Sequence, residues 1–153
     1  MPSNHPCTNT YREVEVRTAN PVQLVVMLYD GAISALKEAQ EHIRSNDIAA
    51  RGRCANRATA IISELQATLN FRDGASIAVS LDSLYAYLKQ LIFRANLEHK
   101  CEPLAEAAGL LENLRPAWSA AASETGSALP PVRTLAQTQG GADLQLMGIN
   151  LSG

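Results

Sequence analysis

Four segments of the chain place apolar residues three and four positions apart, and a short polar or glycine-containing break ends each of the first three. This spacing aligns side chains along one face of an α-helix, so it predicts four helices. The predicted ranges are about 21–44, 48–70, 77–97 and 103–123. Because the breaks are short, neighbouring helices are expected to run antiparallel, in an all-α up-down bundle.

The first and fourth segments carry signals that bear on where helices start and stop. Asn20 is a favoured N-cap residue, Pro21 suits the first helical position, and Gln23 stands where a capping-box partner belongs. The third helix is expected to follow the break FRDGAS, with Ser76 as its cap. Pro116 lies inside the fourth segment, which predicts a kink or an early stop there.

The two ends of the chain lack helical periodicity. Residues 1–20 contain two prolines and several Ser, Thr and Asn residues, and they are predicted to form an irregular N-terminal arm. Residues 124–153 carry only three charged residues and are rich in Ala, Ser, Gly, Gln and Pro, so a disordered C-terminal tail is expected. One helical domain, residues 21–123, lies between them.

Charge and composition argue against several classes of partner. The net charge is −2, so no basic excess favours nucleic acid or an anionic membrane surface. A basic cluster around the first break consists of Arg44, Arg51, Arg53 and Arg57. It would suit phosphate or an acidic partner, or simply lie solvated at a helix start, and no aromatic residues interleave with it.

The chain has no feature of a membrane or secreted protein. No apolar run reaches the roughly 18 residues that a transmembrane helix needs, and the first residues lack a signal-peptide pattern. The three cysteines are far apart, which suits a reducing compartment. A cytoplasmic location without membrane insertion is therefore expected.

No catalytic constellation is evident, so we expect no enzyme activity, no cofactor and no metal site. The histidines are isolated in the sequence. His99 and Cys101 are two positions apart, which is poor spacing for zinc without two further ligands. Cys54 lies near the apolar stripe of the second helix and is predicted to be a core residue.

The first helix is apolar over a wider arc than one bundle face requires. Its apolar residues cover about 200° of a helical wheel, against about 140° for the second helix. Met27 lies outside even that arc, while Val79, Phe93 and Leu97 lie on the back of the third helix. Either the first helix is central and touched on several sides by its own chain, or part of this surface is a groove for another amphipathic segment. Gly31 marks a position where a close approach is expected.

Four stretches resemble one known family in the same order. YREVEVRTANPVQLVVMLYDGAI, residues 11–33, resembles the opening of the flagellin-specific export chaperones, the FliS family. That family has a Tyr, then Val-x-Thr-Ala-x-Pro, then Leu-x-x-Met-Leu-Tyr-Asp/Asn-Gly. AIISELQATLN (60–70), LYAYL with RAN (84–96) and LRPAW (114–118) resemble later segments of the family. The resemblance covers about residues 11–118.

The resemblance implies a helical bundle with an N-terminal arm packed on it, and a chaperone without catalysis. It implies cytoplasmic binding of the C-terminal segment of flagellin, which is disordered before assembly. Bound flagellin would be kept from premature polymerisation and delivered to the export gate of the flagellar type III apparatus. The alternative that the residues leave open is a generic helical adaptor or a self-associating bundle with no flagellin role.

Five residues are predicted to contact flagellin because they precede the best core stripes or fall outside them: Tyr11, Val14, Val16, Met27 and Phe93. The arm around the first three is expected to cover an apolar groove in the free protein and to be displaced by the client. The residues assigned to the core are Tyr29, Ile62, Leu65, Leu84, Leu88 and Leu111. Tyr85 and Tyr87 flank the stripe of the third helix and suit either use.

Overall fold

A computed structural model of the chain describes residues 20–128, with side chains as far as Glu124. These residues form four helices joined by three-residue links: α1 (Pro21–Arg44), α2 (Ile48–Ala67), α3 (Phe71–Glu98) and α4 (Glu102–Ala128). The predicted all-α fold of four long helices is confirmed. The predicted arm, apart from Asn20, lies outside the described residues, as does residue 129 onward of the predicted tail.

The start of α1 follows the capping signals in the sequence. The side-chain oxygen of Asn20 accepts a hydrogen bond from the Gln23 amide at 2.8 Å. The Gln23 side chain in turn accepts one from the Asn20 amide at 3.1 Å, which completes a capping box ahead of Pro21. The predicted cap of the first helix is confirmed.

The start of α3 differs from the prediction. FRDGAS is not a simple turn capped by Ser76, because α3 already begins at Phe71. The cap is Asn70, whose side chain accepts hydrogen bonds from the amides of Arg72 and Asp73. The predicted break survives as a kink at Ala75, where φ is 39° and ψ is −114°. Asn70 therefore caps the start of α3, and α2 ends at Ala67, before the predicted end at residue 70.

Pro116 does not stop the last helix, since α4 continues through it to Ala128, beyond the predicted end at 123. Proline has no amide hydrogen, so Pro116 leaves the carbonyl of Glu112 without its helical hydrogen bond, and both residues are exposed to solvent. Its neighbours Arg115 and Trp118 are both fixed against α1, so the helix is held in place on either side of the proline.

The four helices form a closed ring of neighbours. α1 packs most extensively against α2 and α4, and α3 contacts the same two helices less extensively. α1 and α3 therefore lie diagonally across the bundle. Of the residues assigned to the core, Leu84 is half-buried against it and the rest are buried: Tyr29, Ile62, Leu65, Leu88 and Leu111.

The wide apolar arc of α1 is covered by its own chain. Every large apolar side chain of α1 is buried or half-buried within the described structure, Met27 included. Val26, Leu28 and Ile33 lie at the sides of the arc and pack against the core cluster. Of the two interpretations of this arc, the central helix touched on several sides is the one that the packing favours.

Small residues bring α1 and α2 close together. A methyl group built on Gly31 would lie 3.2 Å from Cδ1 of Ile61, which is tighter than ordinary contact. Ala32, Ala35 and Ala39 continue the row of small buried residues along α1. The close approach expected at Gly31 is made by Ile61 of α2.

Replacing Gly31 with leucine should lower the free energy of unfolding by about 1–3 kcal/mol, because the larger side chain overpacks the contact with Ile61. Gly52 of α2 is the matched control, since nothing lies within 4 Å of a Cβ there. Gly52→Leu should leave stability unchanged or raise it by up to about 1 kcal/mol. Urea unfolding followed by circular dichroism measures both variants, and equal effects would contradict the close approach.

Candidate protein-binding surface

An apolar stripe follows the outward side of α3. Val79, Ala86 and Phe93 are seven residues apart, and Leu97 follows one turn later. All four are exposed, with 56% of Val79 and 69% of both Phe93 and Leu97 accessible to solvent. We call these four residues the outer stripe. Seven-residue spacing keeps side chains on one face over several turns, so the stripe is continuous along the helix.

The opposite side of α3 explains why the stripe faces outward. Ala78, Tyr85, Leu88, Ile92 and Ala95 are buried and direct the inner face of α3 into the core. On a helical wheel these residues lie roughly opposite the outer stripe. Because the inner face of α3 is buried in the core, the outer stripe is exposed to solvent, and α3 carries apolar residues on both faces.

Polar contacts close the flanks of α3 against its neighbours. The Tyr87 hydroxyl donates to a carboxylate oxygen of Glu106 on α4 at 2.5 Å. On the other flank, Lys89 donates to the Ser63 hydroxyl at 3.0 Å, and Gln66 of α2 donates to Asp82 at 2.9 Å. The exposed apolar surface is thus a ridge on one helix between two polar borders.

Three aromatic rings anchor α3 and α4 to α1. The hydroxyls of Tyr29 and Tyr85 are 2.8 Å apart, and their rings meet edge-to-face with centroids separated by 6.4 Å. The Trp118 ring lies 6.3 Å from Tyr29 on the other side. Burial raises the pKa of both Tyr29 and Tyr85, so both phenols stay protonated and can share this hydrogen bond. Tyr85, which the sequence left open, is a core residue.

An ion pair joins α1 to α4 beside these rings. Arg115 donates to both carboxylate oxygens of Asp30, through Nε to Oδ1 and through Nη2 to Oδ2 at 3.0 Å. The bond to Asp30 raises the pKa of the Arg115 guanidinium. No local pattern in the sequence predicts this pair, because the two residues are 85 positions apart. The pair fixes α4 to α1 just before Pro116, and Trp118 does so just after it.

The predicted flagellin contacts do not form one patch. Phe93 is exposed in the outer stripe, whereas Met27 is half-buried and lies, on a helical wheel, opposite the buried face of α1. Because α1 and α3 are diagonal in the bundle, these two residues face opposite directions. Tyr11, Val14 and Val16 lie outside the described residues.

The polar residues that the sequence singled out have partners within the protein. Arg51 is buried, with its guanidinium 3.3 Å from Nδ1 of His99, while the other three arginines of the basic cluster are exposed. Cys101 donates to the Gln40 carbonyl at 3.6 Å. Cys54 is buried, as predicted for a core residue. His99 and Cys101 therefore serve the packing of the α3–α4 link.

A four-helix bundle that exposes an apolar stripe between polar borders has the architecture of a helical protein that binds another chain. None of the described helices is both long and apolar enough to cross a membrane. The chain matches the family model described as flagellar protein FliS over residues 3–125.

Flagellar secretion chaperones FliS from several bacteria are similar to this chain. The Salmonella typhimurium protein is 38% identical over 107 residues, covering 69% of this chain and 79% of the relative. The Campylobacter jejuni protein is 33% identical over 115 residues, covering 75% and 90%. The Bacillus subtilis protein is 31% identical over 111 residues, covering 72% and 82%. The chain belongs to the FliS family of flagellar secretion chaperones.

Removing the Tyr29 hydroxyl should lower the free energy of unfolding by about 1–2 kcal/mol, because Tyr29→Phe leaves the buried Tyr85 hydroxyl without its partner. Tyr29→Phe combined with Tyr85→Phe should cost less than the sum of the two single variants. Tyr87→Phe removes a hydroxyl at an exposed position and is expected to cost less than about 0.5 kcal/mol. Denaturant unfolding of the four variants tests the coupling; strictly additive losses would count against it.

Proposed function

We propose that this protein binds the C-terminal segment of flagellin in the bacterial cytoplasm and delivers it to the export gate of the flagellar type III apparatus. Binding keeps the segment from polymerising before export. The protein acts as a chaperone and carries out no chemistry. Membership of a family of flagellar secretion chaperones supports the role in export, and the outer stripe of α3 is the observation that supports binding of another chain.

The outer stripe suits an amphipathic client helix. Val79, Phe93 and Leu97 present apolar area in one line, and the polar borders limit where a client can lie. Each Å² of apolar surface that a client covers contributes roughly 25 cal/mol, so full coverage of large side chains supplies a useful part of binding. A disordered segment must offset its ordering cost on binding, which favours a long contact over a compact one.

The positions of Met27 and Phe93 favour a client that wraps around the bundle. No compact partner reaches residues that face opposite directions, but an extended segment can contact both in sequence. We include Met27, Phe93 and the three arm residues Tyr11, Val14 and Val16 as contacts along such a path. The client would then use several short apolar contacts instead of one deep groove.

Phe93→Ser should weaken the binding of a C-terminal flagellin peptide on the order of tenfold, because it removes an exposed aromatic side chain from the centre of the contact. Ile48→Ser is the matched control: Ile48 is 57% exposed, but it lies on α2 and is not part of the outer stripe. Isothermal titration calorimetry of both variants is the test. Equal affinities for the two variants would place the client elsewhere.

Tyr11→Ala should weaken peptide binding while leaving the unfolding transition of the bundle unchanged, since the proposed role of Tyr11 is contact with the client. Calorimetry and thermal unfolding measured on the same sample separate the two effects. A lowered melting temperature with unchanged affinity would show that Tyr11 serves packing.

Self-association through the outer stripe is a second candidate, favoured by the seven-residue spacing of Val79, Ala86 and Phe93. Light scattering coupled to size exclusion distinguishes the two functions. A dimer that Phe93→Ser converts to monomer, and that does not bind flagellin peptide, would support self-association. A monomer that binds the peptide supports the chaperone.

A further inference from the structure

Three potential metal ligands come together where the hairpin of α1 and α2 closes. Glu38 and His42 are four residues apart on α1, so their side chains lie one turn apart on one face of the helix. Cys54 reaches them from α2, and its thiol donates a hydrogen bond to Oε1 of Glu38 at 3.0 Å. A carboxylate oxygen, an imidazole nitrogen and the thiol sulfur all lie within 4.8 Å of one another.

We propose that Glu38, His42 and Cys54 form a zinc site with water as the fourth ligand. Zinc accepts thiolate, imidazole and carboxylate ligands in tetrahedral geometry, with bonds of about 2.0–2.3 Å. Such bonds place the ligand atoms about 3.5 Å apart, so a gap of up to 4.8 Å has to close by at most about 1.3 Å. Rotation of the Glu38 and His42 side chains suffices for this, because both are only half-buried.

The burial of the three ligands matches what a zinc ion requires. Cys54 is buried, which places the sulfur on the protein side of the site, whereas Glu38 and His42 leave a path to solvent. When the ion binds, the thiol proton passes to solvent and the thiolate forms next to the cation that neutralises it. The same carboxylate that accepts the thiol hydrogen bond in the absence of metal becomes a ligand in its presence.

The ligand set selects the class of metal. A thiolate and an imidazole favour zinc over magnesium and calcium, which prefer sites made of oxygen atoms. Three protein ligands leave one coordination position open, and water takes that position in sites of this kind. The ion would connect the C-terminal half of α1 with the N-terminal half of α2 at the hairpin end of the bundle.

Cobalt substitution tests the site in the intact protein. Reduced, chelator-treated protein titrated with Co²⁺ should develop the charge-transfer absorption of a cobalt–thiolate bond together with the visible bands of tetrahedral cobalt. Zinc added afterwards should displace the cobalt and abolish both signals at one ion per chain. Cys54→Ala should remove the charge-transfer absorption, whereas a Cys7→Ser/Cys101→Ser double variant should keep it.

The variants of the other two ligands test the site without touching the core. His42→Ala and Glu38→Gln should each weaken zinc binding by at least about tenfold, the loss that even supporting residues of metal sites can cause. His99→Ala is the matched control and should leave zinc affinity unchanged. Wild-type protein that binds neither ion, or a cobalt–thiolate absorption that persists in Cys54→Ala, would overturn the proposal.

Thermal unfolding supplies an independent readout. Zinc in large excess over its Kd should raise the Tm of the wild type on the order of 5 °C, because the ion binds only the packed hairpin. The same zinc should raise the Tm of His42→Ala by clearly less, because the variant binds the ion more weakly. Equal shifts in the two proteins would show binding at other residues and would contradict the assignment.

Discussion

The contact of Tyr29 with Tyr85 and Trp118 is the interaction on which the rest of the bundle depends. Tyr29 lies on α1, and its two partners lie on α3 and α4, so one side chain ties three helices together. The paired hydroxyls have no access to water and therefore require each other. Together with the other buried residues of α3, this contact turns the inner face of the helix toward the core and leaves Val79, Phe93 and Leu97 in solvent.

The two diagonal helices of the bundle are used in different ways. α1 packs extensively against α2 and α4, approaches α2 closely at Gly31, and exposes none of its large apolar side chains fully. α3 packs less extensively against the same two helices, and its buried face carries larger residues such as Leu88 and Tyr85, the latter meeting Tyr29 of α1. The closely packed helix thus supports the fold, while the helix with less extensive packing carries apolar surface on its outward side. A client that covers α3 disturbs the fewest core contacts.

Local patterns in the sequence were sufficient to predict the helices and most of their limits. The capping box of Asn20 and Gln23 lies within four residues and could be recognised without knowing the fold. The start of α3 could not be recognised in this way. Asn70 and Ser76 are both good cap residues, and which of them caps the helix depends on how the chain turns after Leu69. The early stop predicted at Pro116 was wrong for a similar reason. Arg115 and Trp118 hold the helix against α1 on either side of the proline, and these contacts join residues far apart in sequence.

The candidate binding residues divide in the same way, into those that the pattern of one helix predicts and those whose placement depends on how the helices pack. Phe93 was identified from the wheel of one helix, because exposure opposite a core stripe is a local property. The opposite placement of Met27 required the order of helices around the bundle, which periodicity does not contain. The cluster of Glu38, His42 and Cys54 required more: a helix turn brings the first two together, but only the close packing of α1 on α2 adds the sulfur. No short sequence motif marks such a cluster, because its residues are brought together by the packing of two helices and not by their spacing along the chain. It lies on α1 and α2, so an ion bound there would stabilise the hairpin without occupying the outer stripe of α3.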